Sequence, residues 1–527
     1  MALPRTPAPY RDDRAAGVLL AAACGDALGV PYEFAPRLTP DQTPQMVGGG
    51  LGPYAPGEYS DDTQMSVCIA RALTETAPAA IQESRVLNRI ADHFLTWLRE
   101  GATDIGIQTR SVLSATASDA ATPWVAGAML RRSRERWQSG RRSAGNGSLM
   151  RTAPVALHDL YDAQATAEAA RLVSDLTHAD PLAGDACVIW CEGIRHAVLH
   201  GGFDGVRAGV DLLPAQRRPW WHARLDEAEA EDPHAFADNG YTVTALQVAW
   251  SAITRTPVPD EDPAAGVFAA DHLRLALEAA VRAGGDTDTV AAIAGSLLGA
   301  RWGASAVPWH WQRAVHGWPG HTARDLIALA IGLTRQGAPD GQGWPHAARH
   351  PRHAEAPDPF HTAHPHDDGV VLGNLPLADL DPAALGVDAV VSLCRVGAAD
   401  FAHVPARDHV QVWLIDRPGA NAHGHHTLDQ AARAVHGLRG EGKRVLVHCA
   451  AGRSRTPSVA ARYSGLLGID PATALDEVCQ ALADNRPLVN PELEGFVFDL
   501  AGYARPVGQD RPWRIRQAPL HGQVSEE

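Results

Sequence analysis

Between residues 15 and about 335, apolar side chains recur at helical spacing and alternating β-branched runs are scarce. Helices are predicted over 81–99, 165–176, 182–199, 243–253, 273–281 and 290–300, separated by Gly- and Asp-rich turns, so this part reads as all-α. Short β-branched runs follow at 370–372, 389–393, 410–414 and 444–447, alternating with helical stretches at 427–440 and 458–467. That alternation predicts an α/β module with a mainly parallel sheet. Between the two, residues 337–367 interleave histidines from His346 to His366 with prolines such as Pro339, Pro351 and Pro365. The proline density predicts a solvated linker, and the histidines repeat no metal-ligand spacing. The expected organisation is therefore an all-α domain over 15–336, a linker over 337–367, an α/β domain over 368–505 and a tail over 506–527.

Composition agrees with a multidomain globular chain: 527 residues, 45% hydrophobic and 20% charged. The formal charge of −15 opposes nucleic acid as the main partner, though a local pocket for a small phosphate remains open. Met1 to Arg14 has no apolar core, and the apolar run from Gly17 to Cys24 is shorter than the ~20 residues a bilayer requires. No membrane partner is expected. The seven cysteines are odd in number and scattered, which predicts reduced thiols and a cytoplasmic location. Cys187 and Cys191, one helical turn apart, read as a buried helix face.

The sharpest motif lies in the second module, where the run 444–447 enters His448-Cys449-Ala450-Ala451-Gly452-Arg453-Ser454-Arg455-Thr456 and a helix follows. A strand-loop-helix junction points the N–H groups of Ala450, Ala451, Gly452, Arg453 and Ser454 inward, and the helix dipole adds positive potential. A phosphate dianion fits there. Cys449 at the base of the loop is the candidate nucleophile, stabilised as thiolate by the same field. Arg455 can clamp two phosphoryl oxygens with its planar fork, and Ser454 can hydrogen-bond the sulfur as it leaves. Asp416, after the run 410–414, is the candidate general acid and base, preferred over Asp408. Over roughly 368–502 the chain resembles the dual-specificity branch of the cysteine phosphatases, through His-Cys-x-x-Gly-x-x-Arg, Ser454, Thr456 and Val371-Leu372-Gly373-Asn374-Leu375.

In the first module, Ser60-Asp61-Asp62-Thr63 precedes one apolar helical run and Asp286-Thr287-Asp288-Thr289 precedes another. Ser, Asp and Thr cap helices, but two carboxylates at each start pile up like charge unless a cation neutralises it. All-oxygen ligands suit Mg²⁺ or Mn²⁺, and adjacent Asp61 and Asp62 could face different ions, which predicts a paired centre. Asn146-Gly147-Ser148 offers free N–H groups to a diphosphate or forms an ordinary turn. Tyr241 is suited to stack on adenine or to fill core. The arginine-rich stretch from Arg131 to Arg142 reads as a solvated helix face.

Over about 15–335 the chain resembles the ADP-ribosylglycohydrolase family, most closely its dinitrogenase reductase-activating branch. The matching pieces include Gly25-Asp26-Ala27-Leu28-Gly29-Val30-Pro31-Tyr32-Glu33, Ser60 to Met65, Asp104-Ile105-Gly106, Asn146 to Arg151, Thr177-His178, Gly240-Tyr241 and Gly284 to Thr289. The resemblance implies two magnesium or manganese ions held by Ser60, Asp61, Asp62, Asp286, Asp288 and Thr289, with serine at a position that is often threonine. It also implies a glutamate approaching the metals at Glu33, a catalytic carboxylate at Asp104 and a ligand-contacting histidine at His178. Either Asp104 or Glu33 protonates the departing nitrogen, with Asp104 slightly preferred. Asp26 is expected to be a buried hydrogen-bonding residue. The combined expectation is a bifunctional hydrolase: the front removes ADP-ribose from protein side chains, arginine above all. The rear removes phosphate from a protein or a small phosphoester and needs no cofactor. The alternative is a sensor, in which one module binds ADP-ribose or phosphate without turnover and regulates the other.

Overall fold

A computed structural model of the chain describes residues 8–77, 79–351, 358–381 and 385–505. The expected tail at 506–527 lies outside the described residues. The chain divides into two compact units, one from the described residues of Met1–Glu261, Val267–His350 and Gly397–Ala399, the other from those of Asp262–Gly266, Pro351–Val396 and Asp400–Glu527.

The first unit is helical: α1 (Ala8–Gly29), α2 (Asp61–Thr76), α3 (Ser84–Arg99), α4 (Ile107–Thr116), α5 (Val125–Gln138), α6 (Ala153–His158), α7 (Ala163–Asp175), α8 (Pro181–His200), α9 (Gly205–Asp211), α10 (Arg218–Ala230), α11 (Thr242–Arg255), α12 (Asp271–Arg282), α13 (Thr287–Trp302), α14 (Trp309–Ala314) and α15 (Ala323–Thr334). A two-residue hairpin, β1 (His316–Gly317) with β2 (His321–Thr322), interrupts it. Helix α1 extends well beyond the apolar run noted in the sequence and is long and apolar enough to cross a bilayer; most of it is buried inside the unit. Its chief neighbour is α13, a helix of Ala, Gly and Leu buried along almost its whole length. The two backbones touch. A Cβ on Gly299 would stand 2.0 Å from Gly17 O, and one on Gly29 would stand 2.4 Å from Asp288 Cα. Small residues permit this approach, and it brings the end of α1 against the start of α13. Cys187 and Cys191 are buried on α8, and all seven cysteines are free.

The second unit has a five-stranded sheet in the order β3 (His361–His364), β4 (Asp367–Asn374), β7 (Val445–Cys449), β5 (Ala389–Ser392), β6 (His409–Gln411). The β3–β4 pair is antiparallel and the rest parallel. Around it are α16 (Gly424–Gly440), α17 (Arg455–Leu466), α18 (Pro471–Ala481) and α19 (Pro491–Leu500). β7 is buried at every residue, as a central parallel strand must be, and its last residue, Cys449, is level with Asn374 of β4. Two boundaries depart from the sequence pattern. The segment read as a solvated linker buries Trp344 and His350 and ends in β3, because an edge strand tolerates flanking prolines. β6 stops at Gln411, since Leu414 N–H turns back to Val412 O and Leu414 O is taken by Arg455 Nη1.

Candidate active sites

The start of α2 and the start of α13 meet beside the end of α1. Carboxylate oxygens of Asp26, Asp62 and Asp288 lie within 4.8 Å of one another, and so do those of Glu33, Asp286 and Asp288. Asp288 belongs to both groups. Asp26 is saturated by Ser60 N–H (2.8 Å), Thr63 N–H (3.0 Å) and the Thr63 hydroxyl (2.6 Å), the structural role expected of it. Ser60 donates its hydroxyl to Asp62 Oδ2 at 2.9 Å, while Asp62 Oδ1 is buried with no hydrogen-bond partner. Asp61 is half-buried beside Asp62, and the Thr289 side chain hydrogen-bonds Asp286.

Burial pushes the carboxyls of Asp61, Asp62 and Asp288 well above the usual range, and the negative charge of their neighbours pushes further. Asp286 is raised by burial, against hydrogen bonds from Asn146 and Thr289. Glu33 is raised to about 9, by burial first and then by Asp286, Asp104 and Asp61; its side chain also hydrogen-bonds Asp104. Among the described residues, no lysine or arginine forms an ion pair with any of these groups. An orphaned buried carboxylate oxygen inside an uncompensated anionic basin is the environment a hard divalent cation completes. The donor set fits such an ion.

One consequence concerns stability. These acids hold protons in the folded chain that they would lose when unfolded, so their contribution is fully present below about pH 4 and disappears as pH climbs toward about 9, the value of Glu33. With EDTA present, thermal melting is expected to fall by roughly 5 °C between mildly acidic and alkaline pH. Added magnesium should flatten that slope. Identical slopes with and without the ion would contradict an anionic basin that binds cations.

The remaining front-site candidates frame the basin. Asn146 and Ser148 lie in a short 3-10 turn, the alternative reading of this segment. Asn146 N–H is already bonded to Gly240 O and so is not free for a diphosphate, and Ser148 is fully buried, its hydroxyl accepting from Ser174 at 2.8 Å. Asn146 instead donates its side-chain amide to Asp286 Oδ2 at 2.7 Å. Gly147 lies over His178, where a Cβ would stand 3.2 Å from Cε1 of the ring. His178 is buried and its pKa is driven far down by burial and by Arg151, so the ring is neutral. Arg151 donates to the Thr177 hydroxyl, which lies 2.7 Å from His178 Nδ1. Thr177 is fully buried, so its proton goes to Nδ1 and leaves Nε2 protonated. Tyr241 is half-buried just before α11, bridged to Gly145. Asn239 was not anticipated: it accepts from Asp286 N–H at 2.9 Å and donates to Gly284 O at 2.8 Å, clamping the turn that carries Asp286. Tyr54 also faces the basin, its hydroxyl accepting from Thr103 and its ionisation opposed by burial and by Asp61.

In the second unit, Cys449 ends β7 and α17 starts at Arg455, with the loop Ala450 to Ser454 between them. Gly452 takes φ +71°, and a Cβ there would stand 2.8 Å from Gly373 O, so only glycine fits. Arg455 Nη1 is anchored on Leu393 O (2.7 Å) and Leu414 O (3.1 Å), while its Nε is buried and without a partner. Ser454 donates to Asp416 Oδ1 at 2.7 Å, so its hydroxyl faces the acid rather than the sulfur, a correction to the expected contact. Asn490 Nδ2 also reaches Asp416, at 3.3 Å. Asp408 is held by Lys443. Asn485 braces the loop from outside through Ala451 O (2.9 Å), while Arg453 Nε donates to Asn485 O (2.9 Å). Beneath it, burial holds His448 neutral, at about 3, with Nε2 on the Ser392 hydroxyl at 2.6 Å.

The family model described as ADP-ribosylglycohydrolase matches residues 6–341, and that described as dual specificity phosphatase, catalytic domain, matches 374–505. The ADP-ribosylarginine hydrolase Tri1 of Pseudomonas putida is 30% identical over 315 residues, 59% of this chain and 76% of that protein. The ADP-ribosyl-(dinitrogen reductase) glycohydrolase of Rhodospirillum rubrum is 27% identical over 312 residues, 58% of this chain and 90% of that one. The crystal structure of human DUSP28 aligns at 22% identity and a TM-score of 0.25, over 28% of this chain and 97% of that one.

Proposed function

Because the chain belongs to the ADP-ribosylglycohydrolase family and carries a dual specificity phosphatase catalytic domain behind it, we propose that it is a cytoplasmic bifunctional hydrolase. The front unit releases ADP-ribose from modified arginine side chains, and the rear unit cleaves phosphate monoesters. The observation that carries the front reading is the convergence of both acidic helix starts on Asp288, with one carboxylate oxygen of Asp62 left unsatisfied. Arginine as the acceptor is supported by the Pseudomonas relative, an ADP-ribosylarginine hydrolase.

Asp62, Asp286 and Asp288, with Ser60, Asp61 and Thr289, would hold two magnesium or manganese ions. Bound there, the ions supply Lewis acidity and a fixed place for the ribose hydroxyls and a water. Glu33, its carboxyl raised by burial and by its acidic neighbours, carries a proton and hydrogen-bonds Asp104, so the two side chains act as a pair. That proton passes to the departing guanidine nitrogen as the bond to the anomeric carbon breaks through an oxocarbenium-like state. Water adds to the carbon, and its proton returns to the pair. Gly147, protonated Nε2 of His178 and Tyr241 line the approach for the nucleotide.

In the rear unit, the sulfur of Cys449 attacks phosphorus while the amides from Ala450 to Ser454 and the unpartnered Nε of Arg455 hold the equatorial oxygens. Asp416 protonates the leaving oxygen, then takes a proton from the water that cleaves the thiophosphate. Both sites hold complete residue sets, which favours turnover over a sensor.

The direct test of the front reading uses peptides ADP-ribosylated on arginine or on serine. Free ADP-ribose is expected from the arginine peptide at least about tenfold faster, a difference of about 1.4 kcal/mol, and EDTA should stop it. Equal rates, or release only from serine, would remove arginine as the acceptor.

A further inference from the structure

Helix α5 and the turn after it depart from the charge of the rest of the chain. From Arg131 to Arg142 there are six arginines and one glutamate, in a protein whose formal charge is −15. Arg131, Arg132, Arg141 and Arg142 are exposed. Arg132 meets Glu135 at 3.2 Å and Arg142 meets Asp238 at 3.5 Å, both pairs in solvent and worth little. Among the described residues, Arg131 and Arg141 form no ion pair. Like charges three and four residues apart, such as Arg132 and Arg136, weaken a helix by a few tenths of a kcal/mol each. The helix keeps them against its own stability.

Their position is the second observation. Gln108, near the start of α4, donates to Ser143 O at 2.9 Å and Thr177 O at 3.0 Å, tying the end of the basic stretch to the His178 loop. Four residues after Arg142, Asn146 holds Asp286. The end of the basic stretch therefore lies beside the His178 loop and the turn that carries Asn146. Two large apolar side chains lie exposed on the same packed pair of helices, Trp137 at 40% and Ile107 at 84%. Ile107 comes directly after the Asp104–Gly106 loop. Arginine and tryptophan together are the side chains that dominate protein-recognition surfaces.

We propose that this face docks an acidic stretch of the modified protein next to the side chain being cleaved. The inference rests on the front site acting on modified proteins. Charge complementarity selects the occupant: carboxylates seat on the arginine rim, while the basin behind admits only the ADP-ribosyl group. An extended nucleic acid would meet a chain that is anionic beyond this patch.

The test compares the wild-type protein with Arg131→Glu/Arg132→Glu/Arg141→Glu and with the same three positions changed to Gln. The substrates are a glutamate-flanked arginine peptide carrying ADP-ribose, its lysine-flanked counterpart, and ADP-ribosylated agmatine. KM for the glutamate-flanked peptide is expected to rise at least about tenfold in the Glu variant and less in the Gln variant, with kcat unchanged. Turnover of the agmatine compound should stay within about twofold of wild type. An unchanged KM for the glutamate peptide, or an equal loss on agmatine, overturns the proposal. So does an RNA oligonucleotide that binds the wild type and not the variants while the peptide KM stays the same. If none of the three proteins releases ADP-ribose from any substrate, the front-site reading has failed. Fluorescence anisotropy of an unmodified glutamate-rich peptide then decides: weaker binding to the charge-reversed protein supports the docking face, and equal binding overturns it.

Discussion

Alanine in place of Asp288 is expected to lower ADP-ribose release at least about a thousandfold, equivalent to about 4 kcal/mol of barrier. Asp288 is the carboxylate shared by both oxygen groups of the front basin, so its removal opens both at once. Misfolding does not account for such a loss, because Asp288 sits among buried carboxyls whose burial and crowding oppose its ionisation, so its deletion removes no favourable charge pair. The variant should melt no lower than the wild type in EDTA, and it should lose the magnesium-dependent rise in melting temperature. Phosphate ester hydrolysis should be untouched. Retention of a tenth or more of the ADP-ribose release would show that the basin is not where the reaction occurs.

The second large effect is expected from Cys449→Ser, which should reduce aryl-phosphate hydrolysis at least about ten-thousandfold, since a serine hydroxyl is a far weaker nucleophile than cysteine sulfur. The loop is otherwise preserved. Arg455 keeps its anchors on Leu393 O and Leu414 O, and Asp416 keeps its bond from Ser454. The variant should therefore still bind phosphate analogues. ADP-ribose release should stay within about twofold of the wild type. A parallel fall in both activities from either substitution would mean that the two units do not work as separate sites.

Much of this was legible along the chain because it is local. The two acidic helix starts, the Cys449 to Arg455 loop and the strand entering it each occupy one short stretch, where spacing and chemistry suffice. What escaped depends on partners far apart in sequence. Asn239 acts on Gly284 and Asp286, and no periodicity marks an asparagine whose partners are more than forty residues away. Asn485 bracing Ala451 is the same case. The loop's own residues offer the Ser454 hydroxyl only the sulfur as a partner; Asp416, folded over from beyond β6, takes it. Likewise the Asn146 N–H is taken by Gly240 O, from a segment that spacing could not place beside it.

On the proposed two-ion reading, the contact between α1 and α13 has a bearing on which ions the front basin would admit. Where a missing Cβ on Gly29 lets Asp288 Cα come within reach, the distance of Asp288 from the end of α1 is governed by hydrogen atoms and main chain, not by rotatable groups. The two helix ends then behave as a caliper of fixed opening. Magnesium oxygens stand at about 2.0–2.1 Å and calcium oxygens at about 2.3–2.6 Å, and the wider shell would have to prise apart helices that have no slack. If the basin holds the proposed ions, discrimination by ionic radius would originate in glycines that never touch them.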